Sequence, residues 1–307
     1  MQKKGIALLV TLFFITAIMA IVGVSMHYYN KASSNVAESH LIVQGDAIMS
    51  DVITFLQNSE DVKSVSDAES LQLFLSTSSL IPIQKDSLSL VVMIQSASDR
   101  FNINDLKNFN EDLNIEFEEY LVKQGVSDPL FFMDLLRDSM SGVKENYLSE
   151  LFVDKPTLYK ERLTSQEHLD EILDFYVMRR YENSVKTIPW SEAVTFNETN
   201  STFIDPNYMP IEVWKMLIPR LSTIETQMIV DNEELFKDDQ ELLDIGLSEQ
   251  EVAKLHKFNL TYFSPIVRVI LKVSKGERTL NIEFQYNLQT SQVYKKTVKG
   301  SIFEFNI

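Results

Sequence analysis

One stretch near the start limits what the chain can become. Lys3, Lys4 and Gly5 stand against the run Ile6 to Met26, 21 residues without a charge. At about 1.5 Å per residue, a helix of that length crosses a hydrocarbon core of roughly 30 Å. No lysine or arginine follows until Lys31. Positive charge on the leading side keeps a short N-terminus cytoplasmic and sends the rest across. A cleaved secretory signal is the plain alternative. The run is long for one, and neither Ala17-Ile-Met-Ala20 nor Gly23-Val-Ser25 gives a clean small-residue exit. The absence of cysteine excludes a lipoprotein signal, a disulfide and a thiolate metal site.

The body beyond the run is acidic, with net charge −16 for 307 residues. Nucleic-acid binding needs a basic footprint and is not expected. Hydrophobic residues at 45% suffice for a packed core in most of the chain. A helix is expected over 33–56, with Leu41, Ile48, Val52, Phe55 and Leu56 as an apolar stripe that packs on a sheet. Leu71 to Leu75 suit a short helix. Leu88 to Ile94 form the first clear strand, and Gln95 to Arg100 a turn.

From Phe109 to about Lys257 the period is helical. Leu113, Phe117, Tyr120 and Leu121 share a face, as do Phe131, Phe132, Leu135 and Leu136 after the helix start at Asp128-Pro129. Thr164 with Glu167, and Ser248 with Glu251, match capping boxes. The first opens a helix striped by Leu169, Ile172, Leu173 and Tyr176. Pro210 fits a first helical position, sending Val213, Trp214 and Leu217 inward. From Phe258 the period becomes that of strands. Tyr262 to Val273, Thr279 to Asn287, Val293 to Val298 and Ile302 to Phe305 are expected as strands, with Ser274 to Arg278 as a hairpin connection.

No catalytic motif is present. Gly-x-Ser-x-Gly, Walker-type, dinucleotide-binding and His-Glu-x-x-His patterns are missing. The histidines His27, His40, His168 and His256 have no metal-ligand partner at helical spacing. Residues 231–251 hold nine carboxylates against Lys237. Hard oxygen donors suit calcium, but EF-hand spacing is lacking and a solvated acidic face explains the run equally well. Asn197-Glu-Thr and Asn200-Ser-Thr match a glycosylation pattern and read as chance.

Lys3-Lys4-Gly5 leading at once into Ile6-Ala-Leu-Leu-Val10 resembles the class III leader of type IV pilins and type II secretion pseudopilins. Arg100-Phe101-Asn102-Ile103-Asn104-Asp105-Leu106 resembles a signature of the K-type minor pseudopilins (general secretion pathway protein K). Leu163 to Leu169, Ile188-Pro189-Trp190, Phe203 to Asn207 and Pro210 to Leu217 loosely resemble the same family's helical domain. The resemblance implies cleavage by a prepilin peptidase between Gly5 and Ile6, with Lys3 and Lys4 setting orientation. It implies an assembly helix that packs through Val10, Phe13, Phe14 and Val22. The glutamate usual at mature position five is replaced by Val10, as is characteristic of the K type, whose place is the tip. Calcium is implied as a ligand of the family's helical domain, with Asp231, Glu233, Asp238 and Asp239 as candidates here.

The fold this implies is α+β. A long N-terminal membrane helix packs on an antiparallel sheet, the pilin fold, with a large, mainly α-helical insertion. Residues 1–5 would be leader and 6–57 the transmembrane and amphipathic helix. Residues 58–105 and 258–307 would form the pilin-like domain and 106–257 the inserted helical domain. The implied function is structural, not enzymatic: to start and cap the periplasmic pseudopilus, anchored in a bacterial inner membrane. The implied partners are other minor pseudopilins, the inner-membrane secretion platform and the prepilin peptidase. A minor pilin at a type IV pilus tip, or a membrane-anchored periplasmic binding domain or enzyme, are the competing readings. A secretin and a pseudopilus set among the neighbouring genes would separate the first of these.

Overall fold

The computed structural model describes residues 39–78, 80–85, 88–108, 111–197, 202–232, 234–276, 278–300 and 304–306. Helix α1 (39–58) leads into α2 (Glu60–Lys63), α3 (Ala68–Ser78), β1 (Leu80–Lys85) and β2 (Leu88–Ser96). After β3 (Phe101–Asn102) and a 3-10 turn (Ile103–Asn108) comes a helical block. It contains α4 (Glu111–Lys123), α5 (Pro129–Ser139), α6 (Leu151–Asp154), α7 (Gln166–Arg180), α8 (Ser184–Thr187) and α9 (Trp190–Ala193). It continues with β4 (Val194–Thr195), α10 (Ile211–Leu217), α11 (Thr223–Val230), α12 (Asp239–Asp244) and α13 (Glu249–Lys257). The chain closes with β5 (Ile266–Lys275), β6 (Arg278–Asn287), β7 (Val293–Gly300) and β8 (Glu304–Asn306).

The sheet runs β1-β2-β5-β6-β7-β8, with every neighbouring pair antiparallel. Strands β2 and β5 pair from Leu88↔Lys275 to Ser96↔Val267, although the helical block separates them in sequence. The period-2 alternation selects one face: Leu90, Val92 and Ile94, then Val267, Val269, Leu271 and Val273, then Leu280, Ile282, Phe284 and Tyr286 are buried. On that face lie α1, through Leu41 and Leu56, and α3, through Leu71, Phe74 and Leu75. Gly45 lets α1 approach closely. A β-carbon there would stand 2.4 Å from Leu280 Cδ2 and 2.9 Å from Ile282 Cδ1.

The helical block has its own core. Trp214, Tyr176 and Phe132 are fully enclosed, with Phe132 edge-on to Tyr176 at 5.6 Å between ring centres. Phe101 and Ile103 at its entry and Phe258 at its exit belong to this second cluster, Phe101 meeting Phe258 edge-on at 5.4 Å.

Several local expectations shift. Phe55 points outward, 61% exposed, because Leu56 takes the inward position and consecutive helical residues lie about 100° apart. The cap of α7 is Ser165, not Thr164: its hydroxyl accepts from His168 N, and Gln166 is the first helical residue. Pro210 is the residue before α10 and not its first. The expected strand from Tyr262 starts only at Ile266. Before it, Thr261 N and Asn259 O bond Ile204, so this segment pairs with a loop and not with the sheet. Strand β1 and the short ladder between β3 and β4 went unread in the sequence. The helix starts at Asp128-Pro129 and at Ser248 with Glu251 are as expected, the latter a complete capping box.

Among the described residues no helix is long and apolar enough to cross a membrane. The run Ile6 to Met26 lies outside them.

Candidate functional site between the two cores

Arg100, Phe101, Asn102 and Asn104 lie where the chain leaves the sheet and enters the helical block. Bend residues 97–100 carry Asp99, whose carboxylate accepts from Arg268 Nη2 at 2.7 Å, while Arg100 Nε lies 3.8 Å away. Arg268 Nη2 also donates to Gln95 Oε1 at 3.0 Å. Phe101 and Asn102 pair in parallel with Val194 and Thr195. Asn102 Nδ2 donates to Asp105 Oδ1 at 3.2 Å.

Asn104 joins three segments. Its Nδ2 donates to Leu163 O at 2.9 Å and Asn197 O at 2.8 Å, and its Oδ1 accepts from Leu163 N at 2.8 Å. Only a side-chain amide offers two donors and an acceptor in one plane. At 1% exposure those backbone groups have no water to turn to. The two asparagines of the motif are thus buried braces.

The loop 202–209 is held at the same junction. Asp205 N donates to Ser98 O at 2.9 Å. Its carboxylate is fully buried, with Oδ1 accepting from Asn207 N and Nδ2, and Oδ2 without a partner. Burial pushes the Asp205 carboxyl up to about 7, against which the Asn207 bonds act.

Beside this junction is a cleft of about 180 Å³ between the sheet's outer face and the helical block. Arg100, Arg268, Lys295 and Lys299 line it, with Glu283. Lys295 reaches it through a bulge. The β6–β7 register slips between Phe284 and Gln285, leaving Lys295 as the extra residue, at φ 38°. Its ammonium donates to Phe196 O at 3.2 Å and Asn197 Oδ1 at 2.9 Å. Lys299 pairs with Glu167 at 2.7 Å. Arg100 stands in the motif singled out above, whereas Arg268 on β5 and Lys295 and Lys299 on β7 went unread in the sequence because no local pattern groups them with it. The available signal was parity: Arg268 and Glu283 occupy the positions between buried apolar residues.

Among the described residues, the acidic stretch is not gathered into a site. Asp238 caps α12, accepting from Gln240 N and Glu241 N. Asp239 accepts from Tyr262 Oη at 2.6 Å and lies 2.9 Å from His256 Nε2. Asp231 accepts from Gln227 Nε2 at 2.7 Å. Glu233 lies outside the described residues, among which no group of three such side chains is placed to hold a metal ion. Glu251, 5% exposed, takes Arg220 Nη2 at 2.7 Å and Ser248 N and Oγ, each at 2.7 Å. Lys3, Lys4, Gly5, Ile6, Val10, Phe13, Phe14 and Val22 all lie outside the described residues.

No protein-family model and no curated protein sequence matches this chain. A solved structure does: a chain of the GspK–GspI–GspJ complex from the type 2 secretion system of enterotoxigenic Escherichia coli. The match covers 90% of this chain and 99% of that one, with a TM-score of 0.58 at 12% identity. The fold is therefore shared with a chain of that complex: helices combined with an antiparallel sheet.

Proposed function

We propose that the chain is a K-type minor pseudopilin of a type II secretion system. The observation that carries this reading is α1, seated by Gly45 on an antiparallel sheet in a chain with the fold of a GspK–GspI–GspJ component. In the sequence, twelve residues separate the uncharged run Ile6 to Met26 from the start of that helix.

In this reading a prepilin peptidase cuts between Gly5 and Ile6, and Lys3 and Lys4 hold the leader on the cytoplasmic side. The apolar helix stays in the inner membrane as a single pass, with the body in the periplasm. It bundles with other minor pseudopilins above the secretion platform through Val10, Phe13, Phe14 and Val22. A carboxylate in lipid is costly unless paired, so Val10 suits a subunit with no neighbour above it to pair with. The helical block is too bulky for repeated stacking, which favours a role in starting and capping the pseudopilus. The function is structural and not enzymatic.

Mass spectrometry of the mature N-terminus is the test. The expected result is a chain starting at a methylated Ile6. An intact Met1, or a cut after Ala20, overturns the reading.

A further inference from the structure

A protein of net charge −16 concentrates four cations in one small cleft. Arg268 is 4% exposed, and its Nε finds no acceptor. An unmatched N–H on a buried guanidinium is costly, more so than on a neutral group. The Lys295 bulge holds a non-glycine residue in the left-handed region, a conformation that persists only where surrounding structure imposes it. The first turn of α7, fifteen residues long, also borders the cleft through Ser165 and Gln166, turning a positive helix end toward it. Burial and, after it, the neighbouring Arg268 push Arg100 below its ordinary value, against the opposing pull of Asp99 and Glu283.

Negative groups are close as well. Asp99 pairs with Arg268, Glu167 pairs with Lys299, and Glu283 lines the cleft, while Glu192 acts from farther out and Arg162 adds a further positive charge there. The lining itself keeps a positive excess, and the orphaned Nε asks for an acceptor that the protein does not supply.

We propose that this cleft binds a compact oxyanion, of the phosphate or carboxylate kind, between Arg268, Arg100, Lys295, Lys299 and the start of α7. A volume of about 180 Å³ suits such an ion. A guanidinium takes two oxygens of such a group in one plane. The proposal is independent of the secretion reading and does not fall with it.

The test is calorimetric titration of the full chain with inorganic phosphate and, separately, acetate, at constant ionic strength in sodium chloride. Saturable one-to-one binding of either ion is expected. Lys295→Gln removes a partly exposed cation and should weaken binding roughly tenfold, the worth of one charged hydrogen bond. Glu283→Gln removes the repelling carboxylate and should tighten binding a few-fold. Lys63→Gln, in α2 and away from the cleft, should change nothing. Far-UV circular dichroism checks that each variant folds. Absence of saturable binding by both ions overturns the proposal. So does a Lys295→Gln and Glu283→Gln pair that binds like the unaltered chain, or a Lys63→Gln variant that loses as much as Lys295→Gln.

Discussion

Replacing Glu251 by glutamine isolates one charge in the acidic stretch. Burial alone pushes the Glu251 carboxyl up. The Arg220 guanidinium and the Ser248 N–H and hydroxyl overcome that and hold it at about 2, against an ordinary 4.5. The folded value is depressed, so the stability it contributes is complete above 4.5 and is lost as pH falls toward about 2. That difference corresponds to about 3 kcal/mol at neutral pH. Arg220 is half exposed, which screens the pair and lowers the expectation to about 2 kcal/mol. Glutamine keeps an oxygen for the Ser248 N–H, so the capping box survives while the charge goes. Urea unfolding of Glu251→Gln and the unaltered chain should differ by about 2 kcal/mol at pH 7 and by less than roughly half of that at pH 3. The slope of the transition should not change. A difference that stays constant from pH 7 to pH 3 would refute the argument, because packing and not charge would then be its source.

Two other substitutions probe the junction. Asn104→Asp leaves an acceptor for Leu163 N but turns carboxylate oxygen toward the carbonyls of Leu163 and Asn197. It should cost about 2–4 kcal/mol at pH 7, read as a lowered melting temperature. Asp205 behaves oppositely to Glu251: its folded value is raised to about 7, so its contribution is greatest below an ordinary 3.8 and is lost as pH rises through 7. Asp205→Asn keeps the acceptor for Asn207 and should be more stable than the unaltered chain by about 1–3 kcal/mol at pH 8, with the gain gone at pH 5. A gain independent of pH would contradict the burial argument.

Much of the fold is legible in local pattern. Strand β6 alternates Leu280, Ile282, Phe284 and Tyr286 inward, and the stripe of α7 runs Leu169, Ile172, Leu173 and Tyr176. Periodicity records which side of an element meets the core, because burial of apolar area is the main favourable term and repeats with the geometry of the element. Pattern fails where partners are remote. Tyr262 and Phe263 look like strand residues, but Ile204 claims the backbone beside them. Strand β1 carries Leu80 and Ile83 exposed on the sheet edge, so it lacks a buried stripe to announce it.

The sequence alone determined the uncharged span with lysines before it, the absence of thiol chemistry, and the order of sheet, helical block and sheet. Those follow from composition and near-neighbour spacing, which need no third dimension. Only the tertiary structure decided that β2 pairs with β5 across the helical block, that Asn104 braces Leu163 to Asn197, and that Arg100, Arg268, Lys295 and Lys299 share one cleft. The physical reason is that hydrogen bonds and charges act over a few ångströms in space. The residues they join here stand tens to nearly two hundred positions apart along the chain, where no local period connects them.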